Sequence, residues 1–319
     1  MLKHILLPLD GSNLAEHVLP HAITLSNAFD SKISLIQVIY QGKQAYQSPM
    51  VNPMDWQMLK TEVEAYLNNL QERLIEINVK SEVHILEGNP AEQILEFARS
   101  EDIDLIILSS HGKSGPSAWN INSTVQKVLM RAFMPVMIIR AYQESVNELK
   151  KLKYERLILP LDGSNRAECV LPLAKSICEK QNSKIFLAHI IEEPKLPHQT
   201  PVSEEVKALI DQLLQVNEKE ASIYFDRIAD QFDEEAVEVI IERSRKPEVA
   251  LHNIIDREKA DLVLLSAHGY SGESRWPYGN IALNFLSYGT TPLIIIQDLS
   301  KDEIRTTVAE KYAEQAEGH

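Results

Sequence analysis

Short runs of nearly unbroken Ile, Leu and Val recur along this chain: HILLPL (4–9), KISLIQVIY (32–40), SEVHILE (81–87), DLIILSS (104–110) and PVMIIR (135–140). Runs of this length that do not alternate with polar residues predict strands buried on both faces, as in a parallel sheet. Between them the apolar spacing changes to the helical period, over 55–78, over AEQILEFARS and from about Ser123 to Ala132. Asp10-Gly11-Ser12-Asn13 reads as a turn that also caps a helix beginning near Leu14. Gly88-Asn89-Pro90 reads as a turn with proline at a helix start.

The same series returns in the second half, with runs at 156–161, 184–191, 237–242, 261–266 and 292–297. ILLPLDGSNLAEHVLP (5–20) reappears as LILPLDGSNRAECVLP (157–172), an offset of 152. Ser109, His111, Gly112, Ser114, Gly115, Ser117, Trp119 and Pro135 reappear at Ser266, His268, Gly269, Ser271, Gly272, Ser274, Trp276 and Pro292, an offset of 157. A period of about 155 residues is too long for a solenoid and indicates a duplicated domain. Strands alternating with helices then predict two tandem doubly wound α/β domains, each a five-stranded parallel sheet with helices on both faces. The expected boundaries are residues 1–141 and 153–298, with a linker at 142–152 and a charged tail at 299–319. The tail, from Asp298 onward, is expected outside either core. Residues 41–55 and 192–203 are expected as flaps over the crevice beyond the strand ends, where such folds hold ligands.

Length and charge narrow the function. At 319 residues the chain fits two domains of about 150 residues. A net charge of −14 argues against binding to nucleic acid or to an anionic membrane surface. No apolar run reaches the ~18 residues of a membrane span, and no secretory h-region follows Met1, so insertion into a membrane is not expected and a cytoplasmic location is. Cys169 and Cys178, nine apart in what reads as one helix, are expected to be reduced.

Catalytic signatures are missing. The sequence holds no GxSxG, no Walker A lysine motif, no HExxH and no GxGxxG after a strand, so an enzyme is not the first expectation. With no nameable arginine finger or water-positioning base, any nucleotide hydrolysis is expected to be slow. His17 and His21 have the i, i+4 spacing of helical metal ligands, but Pro20 interrupts the turn and the second copy has Cys169 and Leu173 there; no metal is expected. His111 and His268 are expected to hydrogen-bond locally, and Trp119 and Trp276 to pack under their loops.

The first-strand PLDGS, the GNPAEQIL turn and helix, the SSHGKSG and SAHGYSG loops, and the closing PVMII and PLIII strands together resemble the universal stress protein family, in tandem form. The resemblance covers nearly everything except linker and tail. It implies domain pairing through the last strands, near Met137–Arg140 and Ile294–Gln297, within the chain or in a homodimer. In the family's nucleotide-binding branch it also implies an ATP or other adenine nucleotide site, with or without Mg, whose phosphates lie on G-x-x-G, nine residues, then G-[S/T]. That pattern falls on Ser109, Gly112, Asn122 and Ser123 in the first half, and on Ser266, Gly269, Gly279 and Asn280 in the second. Asp10 and Asp162 take the position near adenine and ribose, and Val38 and Ile190 the adenine wall. Gly88 takes the third turn, where the second half has Ser244 or Arg245. Asn122 in place of glycine is tolerable because Asn enters the left-handed region readily. The implied role is a stress-response sensor or regulator acting through a protein partner. Two alternatives stay open: an interaction protein of the same fold without nucleotide affinity, and a slow ATP hydrolase.

Overall fold

The computed structural model describes residues 2–40, 53–112, 122–141, 152–195, 202–270 and 278–298. The first half contains β1 (His4–Leu9), α1 (Leu19–Phe29), β2 (Lys32–Ile39), α2 (Pro53–Glu76), β3 (Ser81–Glu87), α3 (Pro90–Ser100), β4 (Leu105–Ser109), α4 (Ser123–Arg131) and β5 (Val136–Ile139). The second repeats the series as β6 (Arg156–Pro160), α5 (Leu171–Gln181), β7 (Lys184–Glu192), α6 (Glu204–Ala229), β8 (Val237–Ser244), α7 (Pro247–Glu258), β9 (Leu262–Ser266), α8 (Asn280–Tyr288) and β10 (Leu293–Ile296).

Within each half all five strands are parallel, and the first strand lies between the second and the fourth. The two sheets fuse. β5 and β10 pair antiparallel, Met137 opposite Ile294, giving one ten-stranded sheet in the order β3-β2-β1-β4-β5-β10-β9-β6-β7-β8. The uninterrupted apolar strands are explained by burial on both sides. Leu7, Leu35, Ile107 and Met137 face the layer of α1, α2, α5 and α6, whereas Leu6, Ile36, Ile106 and Ile138 face α3, α4, α7 and α8.

Side chains fasten the halves at two further places. Arg140 donates to the carbonyls of Phe285 and Leu286, near the C-terminal end of α8, where the helix dipole favours a cation. On the opposite face, Thr24 of α1 exchanges two hydrogen bonds with the backbone of Leu152, at 2.9 and 3.1 Å. Tyr154, 1% exposed, meets His21 Nδ1 at 2.7 Å. Burial, and then the neighbouring His17, pull the His21 imidazole down to about 4.

Several local expectations are corrected. The helix expected from Leu14 is a 3-10 turn (Ala15–Val18) followed by α1, so Pro20 sits in the first turn of a new helix rather than interrupting one. His17 and His21 therefore belong to different elements. Cys169 likewise lies in the 3-10 turn Ala167–Val170 and Cys178 in α5, not in one helix; both are free thiols. Burial, and then Asp298, push the Cys169 thiol up to about 12. Asp298 is also not part of a solvated tail: its side chain is 2% exposed and accepts from His268. Of the expected flaps, Pro53–Asp55 begins α2, Glu192 ends β7 and Ser203 caps α6. Residues 41–52 and 196–201, Trp119, Trp276 and 299–319 lie outside the described residues.

Candidate functional site

Because β1 stands between β2 and β4, the chain leaves β1 and β4 on opposite sides of the switch point, and their loops meet over the strand ends. There Asp10 Oδ1 accepts from the backbone N–H (3.0 Å) and hydroxyl (2.6 Å) of Ser12, and Ser12 Oγ in turn accepts from Ala15 N–H. Ser12, not Asp10, caps the following turn. The other carboxylate oxygen of Asp10 lies against Gly112, so close that a methyl group on Gly112 would come within 2.0 Å of it. The second half repeats this: Asp162 holds Ser164 in the same way, a methyl group on Gly269 would lie 2.1 Å from its Oδ2, and Tyr270 N–H donates to that oxygen. The repeated Asp and Gly form one latch between the first-strand turn and the glycine loop. Glycine at 112 and 269 is required by this close approach.

In the first half a cavity of about 150 Å³ is lined by Asp10, Val38, Ser109, Gly112 and Asn122, with Ile94 and Thr124. Gly88 and Ser123 are not brought to it. Gly88, at φ +130°, turns the chain out of β3 and donates to the Ile39 carbonyl. Ser123 is exposed on α4, and Thr124 takes its place at the wall. In the second half Asp162, Ile190, Ser266, Gly269, Gly279 and Asn280 all line a cavity of about 150 Å³. It opens past His189, Ile190 and Asn280 into a cleft of about 1260 Å³, walled by Asn217 and Tyr224 of α6 and by Arg245 and Lys246. The serines at the first glycine position are structural. Ser109 Oγ donates to the Leu14 carbonyl at 2.8 Å and Ser266 Oγ to the His268 carbonyl at 2.6 Å.

The halves differ most at the helix that follows each glycine loop. Asn122 precedes α4 with φ −50°, and its Oδ1 accepts from Thr124 N–H at 2.8 Å. The left-handed region is not used; asparagine is there as a helix cap, and its side chain occupies an N–H of the first turn. Gly279 precedes α8 with φ −74°, and among the described residues no side chain caps that helix. At α4 one of the first-turn N–H groups that attract anions is therefore engaged, whereas at α8 no described side chain takes one.

Counting back from Pro90 and Pro247, Arg245 occupies the position of Gly88, paired with Glu193 at 3.2 Å. Sequence reading missed His189, which borders both second-half cavities with its Nδ1 at 2.8 Å from the Leu161 carbonyl. Its only signal was adjacency to Ile190. Tyr224 was also missed; burial, and then Glu168 beside it, push its phenol well up, keeping it neutral at the cleft wall. His111 and His268 hydrogen-bond locally, to Ser110 Oγ (2.9 Å) and Asp298 Oδ1 (2.7 Å). Among the described residues no group of three His, Cys, Asp or Glu is arranged to hold a metal, and no helix is long and apolar enough to cross a membrane.

Fold and cavities together define a doubly wound α/β protein with a cavity at each switch point and a wider cleft in the second half. The sequence model of the universal stress protein family matches residues 1–140 and again 153–297; the chain belongs to that family, as a tandem member. A universal stress protein of Methanocaldococcus jannaschii is 31% identical over 147 residues, 44% of this chain and 83% of that protein. The crystal structure of a universal stress protein from Archaeoglobus fulgidus matches 93% of this chain and 98% of its own, at 18% identity and a TM-score of 0.65. A functionally unknown protein from Pseudomonas aeruginosa matches 100% of this chain and 98% of its own, at 14% identity and a TM-score of 0.67.

Proposed function

We propose that this protein binds an adenine nucleotide such as ATP in its second half, and works as a stress-response sensor or regulator rather than as a fast enzyme. The observation that carries the reading is the start of α8, which no described side chain caps, facing a cavity to which Gly269, Gly279 and Asn280 all contribute. Phosphates there would take the open N–H groups and the positive end of the helix dipole, with Gly269 allowing close backbone approach. Asp162 and Ile190 line the same cavity and would border ribose and base, with the wider cleft admitting the rest of the ligand. The described bonds engage three of the roughly four acceptor directions of the Asp162 carboxylate, leaving one for a ribose hydroxyl.

The first half keeps the latch but has its anion end capped by Asn122, and we assign it a structural role, holding the shared sheet. Calorimetric titration with ATP, ADP, AMP and a cyclic dinucleotide tests the reading. One site is expected, lost in Gly269→Asp and kept in Gly112→Asp. No heat and no thermal shift with any of the four at millimolar concentration would overturn it.

A further inference from the structure

The outward face of α6 carries Val206, Leu209, Leu213 and Val216, which are 41%, 64%, 51% and 53% exposed. Steps of three, four and three are the a and d positions of a heptad, a seam whose period of about 3.5 fits another helix. The core-facing row of the same helix, Leu214, Ala221, Phe225 and Ile228, is separate and buried. α6 therefore has two apolar faces, of which the described residues cover one. Aligned on the strand that follows each helix, residues 206–216 of α6 correspond to the start of α2, which also exposes apolar side chains, Met54 at 72%, Met58 at 60% and Leu59 at 38%. Beyond Leu59, the exposed side of α2 carries Glu62, Ala65, Asn68, Asn69 and Glu72.

We propose that residues 206–216 of α6 form a homodimer interface, two copies packing antiparallel as a short coiled coil. The flanking charges select this occupant. Glu205, Gln212 and Lys219 are the g positions beside the seam. An antiparallel register that sets Val206 against Val216 of the second copy, and Leu209 against Leu213, makes four apolar layers. In that register Glu205 faces Lys219 of the second copy, twice by symmetry, and Gln212 faces its own equivalent. A parallel register would instead point these g residues at Ile210, Asn217 and Tyr224, and makes no ion pair. Two complementary pairs matter in a chain of net charge −14, whose copies otherwise repel. Glu220, the next a position, borders the second-half cleft and interrupts the seam before Ile223, itself 61% exposed at the following d position, so the continuous seam 206–216 abuts that cleft through Asn217.

Sedimentation velocity on the full chain tests this. The unsubstituted protein is expected to dimerise at micromolar concentration, and Leu209→Glu or Leu213→Glu to be monomeric with unchanged secondary structure. Glu205→Lys or Lys219→Glu alone should weaken the dimer several-fold, and the two together should restore it. Gln212→Cys should give a disulfide-linked dimer on mild oxidation, whereas Ser222→Cys, exposed on another face of α6, should not. A monomeric unsubstituted chain, a dimer indifferent to Leu213→Glu, or no cross-link through position 212 would each overturn the proposal. So would occupation of this face by residues 299–319 of the same chain, seen as a monomer in which Leu213→Glu exposes that segment to protease.

Discussion

The two helix starts that face the cavities differ at the cap position, Asn122 against Gly279, and exchanging that residue separates anion binding from helix stability. In Gly279→Asn the new Cβ would meet Ala267 O at 3.7 Å, His268 Cα at 3.8 Å and Gly269 N at 3.9 Å, all ordinary contacts. The backbone at φ −74°, ψ 169° accepts any residue, so the substitution causes no strain. Its Oδ1 can then cap α8 as Asn122 caps α4. Replacing glycine by asparagine at an N-cap stabilises by only about 0.3 kcal/mol, or about one degree in melting temperature. The same cap removes a donor from the phosphate. A hydrogen bond to a charged group contributes about 1.5–3 kcal/mol, so affinity should fall about 10- to 100-fold. Calorimetry with ATP reads the affinity and a thermal melt reads the cap. The reverse change, Asn122→Gly, should cost the first half a few tenths of a kcal/mol and leave nucleotide binding unaltered. If Gly279→Asn melts normally yet binds ATP as tightly as the parent, phosphates do not rest on α8 and the reasoning fails.

Three other outcomes follow from the packing. Gly269→Ala should destabilise by about 1–3 kcal/mol in urea unfolding, because its methyl group meets the Asp162 carboxylate at 2.1 Å; adding Asp162→Gly should recover part of that loss, and strict additivity would refute the latch. Asp298→Ala should cost about 1–3 kcal/mol, since it removes the acceptor 2.7 Å from His268 Nδ1 and the carboxylate 3.5 Å from Arg166; a change under half a kcal/mol would show that the interaction is not structural. His21 is held neutral in the fold at about 4, so the unfolded chain takes up the proton first: its contribution is complete above about pH 6.5 and is lost as pH falls toward 4. Chemical denaturation of His21→Gln against the parent should show a smaller loss of stability across that interval, and identical pH profiles would exclude the effect.

Much of the fold was legible because its signals are local. Strands buried on both faces need apolar residues at every position, and that excess is visible without knowing the neighbours. The repeated DGSN and HG segments were legible as constrained backbone for the same reason: a tight turn and a close approach each demand particular residues. The Asn122 cap was misread as tolerance of a left-handed backbone, because sequence does not disclose φ. His189 and Tyr224 escaped notice because they reach the cleft from β7 and α6, and only packing of α6 on the sheet brings them there. The heptad steps of α6 were present in the letters but could not be told from a core-facing row until the buried face was known.

The sequence by itself determined the duplication and the doubly wound class of each half, since each depends on residues that are close along the chain or repeated within it. The tertiary structure decided that the halves fuse through β5 and β10 into one sheet, that Asp298 is core rather than tail, that each glycine loop closes on the aspartate of the first-strand turn, and that Asn122 caps α4 while no described side chain caps α8. These depend on contacts between residues far apart in the chain, and on backbone angles that hydrogen bonding and packing select only after the sheet has formed.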